Sequence, residues 1–216
     1  MTGTYAVIPT KNRYDDLRAL LRTLHGQVVA AVIVDNNDEP DEQLANEFDW
    51  VLPIHHPGYP PNISELLNVG LDFVAGAWWL HGDEWNVALL NDDVTVPPGW
   101  VRSLDAALRT SGAALAYTHP GVTEPRLSSE RPASNHTMAT GWACLARGEL
   151  KLRWDEELRW WYSDNAFDLE CRQHGGVVAV PGTVPVHHHP SEQTFASAEL
   201  SAQTHLDEAT FLRKYA

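Results

Sequence analysis

The sequence predicts an α/β fold: one mostly parallel central sheet with helices on both faces. Three observations predict it. Short apolar runs alternate with segments in which Leu recurs at helical spacing. Polar clusters follow three of those runs, at Pro9–Arg13, Asp35–Asp38 and Asn91–Asp93. No internal repeat occurs, and no Pro/Gly/Ser linker separates two cores, so residues 1–216 read as one domain.

Taken in order, Thr4–Ile8 is a β-prone run ending at Pro9, and Leu17, Leu20, Leu21 and Leu24 give a helix. Val28–Val34 is a second strand, Asp49–Ile54 a third. Ile63, Leu66, Leu67, Gly70, Leu71 and Val74 form the next helical stripe, followed by a buried strand at Val87–Leu90. Helix spacing returns at Val101, Leu104 and Leu108, and Ala113–Thr118 is the next strand. Strand–helix alternation calls for a parallel sheet covered on both faces. Ligands of such sheets sit off the carboxyl ends of the strands, where the three polar clusters lie. The second half is less regular. His119–Asn135, rich in Pro, Ser and Gly, reads as a long loop. Thr140–Ala146 reads as a strand, and Ser163–His174 as a helix stopped by Gly175-Gly176. Val177–Val180 and Val184–His187 are short strands, and Glu192–Tyr215 is a largely helical tail.

Composition narrows the partners. The chain has 216 residues, 44% hydrophobic and 20% charged, enough to bury a full core without staples. A formal charge of −14 disfavours binding along a phosphate backbone, while leaving room for a local basic groove. Cys144 and Cys171 show no ligand-type spacing and read as two buried thiols. The N-terminus lacks signal-peptide features. The longest apolar stretch, Leu71–Leu80, is broken by Asp72 and Gly76, short of the ~18 residues a span needs. A cytoplasmic protein is expected.

Four clusters carry chemistry. Asn91-Asp92-Asp93 sets carboxylates side by side at a strand end with no basic neighbour in sequence. Hard oxygen ligands there suit Mg²⁺ or Mn²⁺ holding a diphosphate, although Asn and Asp also favour plain turns. Asp35 either accepts hydrogen bonds from a nucleoside or forms a local Asx-turn or cap. His187-His188-His189 either completes a metal site or forms a polar loop. Asp164 either caps the helix it opens or acts as a general base.

In order and interval these clusters resemble the GT-A glycosyltransferases of the family 2 type, which includes rhamnosyl-, galactofuranosyl- and glucosyltransferases. The matching stretches begin with Val7-Ile8-Pro9-Thr10-Lys11-Asn12-Arg13, Val32-Ile33-Val34-Asp35-Asn36-Asn37 and Leu67-Asn68-Val69-Gly70. They continue through Leu89-Leu90-Asn91-Asp92-Asp93-Val94, Pro97-Pro98-Gly99-Trp100 and Gly141-Trp142-Ala143-Cys144-Leu145-Ala146-Arg147. Trp154-Asp155-Glu156 then precedes Asp164, and Pro181 stands six residues ahead of His187. The resemblance runs from about Tyr5 to Ser191.

The resemblance implies a GT-A fold with a nucleotide-binding half at about 1–118 and an acceptor half at about 119–216. It implies an inverting transfer from a UDP-, GDP- or dTDP-sugar to an acceptor hydroxyl. Pro9, Thr10 and Arg13 would line the nucleotide pocket, and Asp35 would hold the base or ribose. Asn68 would lie near the diphosphate or sugar. Asn91-Asp92-Asp93 would be the Asp-x-Asp element, with Asp93 the metal ligand, His187 the late ligand, and His188 and His189 alternatives to it. Asn91, standing where the family has Asp, would make a hydrogen bond instead of a charge contact. Gly141 and Trp142 would sit beside donor sugar and acceptor. Asp164 would be the catalytic base, and because Ser163 replaces the family's Glu, Asp155, Glu156 and Asp168 are fallback bases. Two other classes are open: a nucleotidyltransferase, which would more naturally carry a glycine-rich phosphate loop, and a non-catalytic sugar- or nucleotide-binding domain. The acceptor is a glycan, a small molecule or a modified DNA base, the last opposed by the charge. Nine tryptophans, Trp142, Trp154, Trp160 and Trp161 among them, suit either core packing or stacking on rings.

Overall fold

In the computed structural model, which describes residues 3–58, 60–77, 84–132, 139, 142–182 and 197–215, the first apolar run forms β1 (Gly3–Thr10). Next come α1 (Tyr14–Leu24), β2 (Ala30–Asp35), the single turn α2 (Leu44–Glu47) and β3 (Val51–His55). α3 (Ile63–Gly76), β4 (Trp85–Leu90), α4 (Trp100–Ser111) and β5 (Leu115–His119) complete the regular half. β6 (Arg126–Ser128), β7 (Ala143–Arg147), α5 (Ser163–Gln173), β8 (Val177–Pro181) and α6 (Ala198–Tyr215) follow.

One eight-stranded sheet results, in the order β3-β2-β1-β4-β7-β5-β8-β6. β3, β2, β1 and β4 are parallel, β7 runs antiparallel between β4 and β5, and β8 returns parallel to β5. Side chains alternate across each strand, so one strand feeds two cores. Ala6, Ile8, Ala31 and Ile33 pack with Leu17, Leu20, Leu21 and Leu24 of α1 and with Leu104 and Leu108 of α4. Val7, Val32 and Val34 pack instead with Leu66, Leu67, Leu71 and Val74 of α3 and with Phe167 of α5. Helices therefore cover both faces, as the alternation predicted. Gly70 lets α3 approach: a Cβ there would overlap the Val7 side chain and crowd Val34.

The expected elements appear with ends shifted by a few residues. α2 was not expected; it is one turn that buries only Leu44. The loop expected over His119–Asn135 contains β6, which pairs antiparallel with β8. Three residues with Leu127 half exposed carry no apolar pattern, yet they cover what would be a bare strand edge. The tail helix spans Ala198–Tyr215 and packs Phe211 on Leu158, Ala166 and Leu169. The strand expected at Val184–His187 lies outside the described residues. Cys144 and Cys171 are buried free thiols, as expected.

Candidate active site

Parallel pairing places the ends of β1, β2 and β4 on one edge, and their polar residues bond to one another there. Thr10, at the end of β1, donates its hydroxyl to Asp92 at 2.8 Å. Arg13, in the turn before α1, lies 3.0 Å from Asp92 and also pairs with Asp93. Asn12 takes a left-handed conformation, φ 58°, which turns its N–H onto the Asn37 side chain at 2.8 Å. Lys11 donates to the Asn36 carbonyl and side-chain oxygens at 2.9 and 3.1 Å. Pro9 is buried inside the sheet, opposite Val34.

Asp35, 3% exposed, accepts from the Tyr14 hydroxyl at 2.6 Å and from the backbone and side-chain nitrogens of Asn37 at 3.0 and 2.6 Å. The Asx-type bond is therefore real. Burial and the Asp35 carboxylate together push the Tyr14 hydroxyl up to about 12, so it stays a donor at neutral pH. Tyr14, Lys11 and Asn37 had drawn no sequence-based role. Their signal is position alone: each lies within two residues of one that did, Lys11 beside Thr10, Tyr14 beside Arg13 and Asn37 two beyond Asp35.

Asp92 and Asp93 are 1% and 3% exposed. Burial pushes the Asp92 carboxyl up to about 6; Arg13 and Thr10 pull it down, and Asp93 pushes it further up. A cation beside such a carboxylate favours its charged form, and Arg13 supplies that charge here. The donor set, two hard carboxylates at one strand end, fits Mg²⁺ or Mn²⁺ in ligand type. Among the described residues no group of three or more His, Cys, Asp and Glu is arranged to hold a metal. His187, His188 and His189 lie outside those residues, as does Gly141.

The second half of the chain joins the same edge through β7. Asn91 N–H donates to the Trp142 carbonyl at 3.0 Å, fixing Trp142 beside the acidic turn. Asp164 opens α5, and its carboxylate accepts from Asn165 N–H at 2.9 Å. Cys144 on β7 lies opposite Leu89 on β4. Burial first, then the Asp164 and Asp168 charges, push Cys144 up to about 12.

Asn68 is committed within the protein. Its amide donates to the Trp154 carbonyl at 2.9 Å and to Glu156 at 2.7 Å, and it accepts from Trp154 N–H at 3.0 Å. The fallback bases are engaged too. Asp168, fully buried, pairs with Arg172 at 2.5 Å and accepts from Ala139 N–H at 2.9 Å. Asp155 accepts from Lys214 at 2.6 Å and Tyr215 at 2.8 Å. Glu156 holds Asn68. Trp154 is core, stacked on Phe167 at 4.5 Å, whereas Trp161 is 39% exposed.

The model of glycosyl transferase family 2 matches residues 5–172. The chain belongs to that family. It is a glycosyltransferase domain with the GT-A arrangement of helices around a mostly parallel sheet. Among solved structures it is similar to S. aureus TarS 1-349, at TM-score 0.66 and 12% identity over 86% of this chain and 60% of that one. The TarS 1-349 complex with UDP-GlcNAc gives 0.64 and 13%, over 99% of this chain and 68% of that one. GalNAc-T7 with UDP, GalNAc and Mn²⁺ gives 0.63 and 13%, over 89% of this chain and 45% of that one. The chain therefore spans 60% of the length of the first of these. A search of curated proteins found no match. Among the described residues no helix is long and apolar enough to cross a membrane.

Proposed function

We propose that this glycosyltransferase domain moves a sugar from a nucleoside-diphosphate sugar to an acceptor hydroxyl with inversion. The reading rests on one observation: Thr10 at the end of β1 and Arg13 in the turn after it meet Asp92 and Asp93, just beyond β4, at a single strand-end edge. UDP is the first donor nucleotide to try, because TarS 1-349 binds UDP and UDP-GlcNAc. GDP and dTDP come next.

Pro9, Thr10 and Arg13 border the nucleotide, and Asp35 receives its base or ribose on the Tyr14–Asn37 frame. Asn91 and Asp92 face the diphosphate side, with Asn68 behind the donor sugar through the Trp154–Glu156 loop. Asp93 and His187, with His188 or His189 as alternatives, would hold Mn²⁺ or Mg²⁺. A divalent ion there supplies neutralisation of charge at the diphosphate. Arg13 adds its guanidinium to the same edge. Asp164 accepts the proton of the acceptor hydroxyl as the oxygen bonds to the anomeric carbon. The bond from that carbon to the diphosphate oxygen breaks, and its electron pair leaves with the nucleoside diphosphate. Gly141, Trp142 and the exposed Trp161 border the acceptor.

The test is thermal stability and calorimetry with UDP, GDP and dTDP, each in Mn²⁺ or in chelator. One nucleotide should stabilise the protein, and far more with Mn²⁺. Stabilisation that ignores metal removes Asp93 and His187 from their roles; no stabilisation by any nucleotide overturns the donor reading.

A further inference from the structure

Asp207, on α6, is fully buried. Its carboxylate accepts from three consecutive backbone amides: Arg159 at 3.2 Å, Trp160 at 2.7 Å and Trp161 at 2.8 Å. Gln203, one turn earlier, adds a fourth donor at 2.7 Å. A buried carboxylate is costly unless donors surround it, and here the donors belong to one turn of main chain. The next residue, Tyr162, sits in the left-handed region at φ 61°, which a bulky side chain adopts only when its surroundings impose it. α6 imposes it. Phe211 stacks on the Tyr162 ring at 5.1 Å, and Glu208 accepts from its hydroxyl at 3.2 Å. Two residues beyond Tyr162 stands Asp164, in the first turn of α5.

We infer that Asp207 is a positioning residue for transfer, fixing the Arg159–Tyr162 turn so that α5 presents Asp164 to the acceptor. The inference rests on the reading of Asp164 as the base. α6 lies wholly beyond residue 172, where the family match ends, so the chain supplies this brace from outside the matched segment. The other side of the turn is held by α3, through Ile63 N–H on the Arg159 carbonyl at 2.8 Å and Ser64 on the Leu158 carbonyl at 2.6 Å. Losing Asp207 therefore tilts the turn without releasing it.

The experiment compares Asp207→Asn and Asp164→Asn with the unaltered full chain. It measures UDP affinity by calorimetry, kcat and KM for the active UDP-sugar, and amide hydrogen exchange over residues 159–166. For Asp207→Asn we expect UDP affinity and KM to hold, exchange over 159–166 to quicken, and kcat to fall ~10–100-fold, the scale of a small misplacement. A normal kcat in Asp207→Asn beside an inactive Asp164→Asn overturns the inference and leaves the function standing. An active Asp164→Asn removes the base, and the inference with it. Equal losses of UDP affinity and kcat make Asp207 merely structural and also overturn it. If Asp207→Asn does not fold, Tyr162→Ala, which strips both side-chain anchors from a half-exposed position, is judged by the same outcomes.

Discussion

From β1 to β4, polar side chains at the sheet edge bond chiefly to each other: Thr10 to Asp92, Arg13 to both aspartates, Tyr14 and Asn37 to Asp35. In the second half of the chain the loops are instead held by side chains of α3, α5 and α6, which bond largely to loop backbone. Asn68 holds Trp154, Ser64 holds Leu158, Asp207 holds residues 159–161, and Arg172 reaches the Ser128 side chain and the Glu130 carbonyl. Parallel strands bring their ends together as a consequence of pairing, so this polar edge, the proposed nucleotide site, forms wherever the sheet forms. The loops of the second half, the proposed acceptor side, have no such geometry to inherit and are hung from helices distant in sequence. Damage to the two sides should therefore separate binding from turnover.

The largest separation is expected at Asp164. Asp164→Asn keeps size and capping ability and loses only the capacity to take a proton. Turnover should fall by ~10²–10⁴ while UDP affinity is kept. Calorimetry beside a turnover assay checks it, and near-normal turnover would refute the assignment. Asp35→Ala should act in the opposite sense. Removing a charged acceptor should weaken UDP binding by ~1–3 kcal/mol, with kcat at saturating donor little changed. Because Asp35 also anchors Tyr14 and Asn37, melting must be followed in parallel. Unchanged affinity would leave Asp35 a local turn-former.

What the sequence made legible follows the same division. Continuous runs such as Val32-Ile33-Val34 and stripes such as Leu17, Leu20, Leu21 and Leu24 announce buried strands and covering helices, because burial imposes the period. The strand-end clusters followed from them. Nothing local marks Asp207, one acidic residue on a polar tail helix. Its only trace is its place one turn before Phe211 and one turn after Gln203, on the face that packs inward. Nor does spacing reveal that Asn68 braces a loop more than eighty positions away. β6 was illegible for a different reason: an exposed edge strand three residues long needs only backbone, and backbone has no sequence.

A substitution on α3 tests whether the two sides share a frame. Gly70 packs against Val7 of β1 and Val34 of β2, while Asn68, on the same helix, braces the loop at Trp154. In Gly70→Ala the new methyl must displace Val7, an overpacking cost of ~1–3 kcal/mol. Better helix propensity offsets up to about 1 kcal/mol of it. The melting temperature should drop, and UDP affinity and kcat should weaken together, unlike either edge variant. A stable, fully active variant would show that α3 moves freely against β1.

The smallest expected effect lies in the second half of the chain, where Asp155 meets Lys214 and Tyr215 of α6. Burial alone would raise the Asp155 carboxyl. The bonds from Lys214, Tyr215 and Glu157 N–H outweigh it and hold the group below its ordinary value. A carboxyl with a lowered folded-state value contributes stability that is complete above its unfolded value, near pH 4. That contribution is lost as pH falls through the folded value. The wild type should therefore exceed Asp155→Asn in stability by up to about 1 kcal/mol, the scale of a solvent-screened ion pair. The gap should stay constant from pH 7 to about pH 5 and close below about pH 4. Lys214, whose value is raised, loses its contribution only at strongly alkaline pH and does not disturb that window. Urea unfolding of both proteins across the range reads the difference directly. A gap that closes instead between pH 5 and 7 would assign the α6 contact to another group, and UDP affinity should stay the same in both proteins throughout.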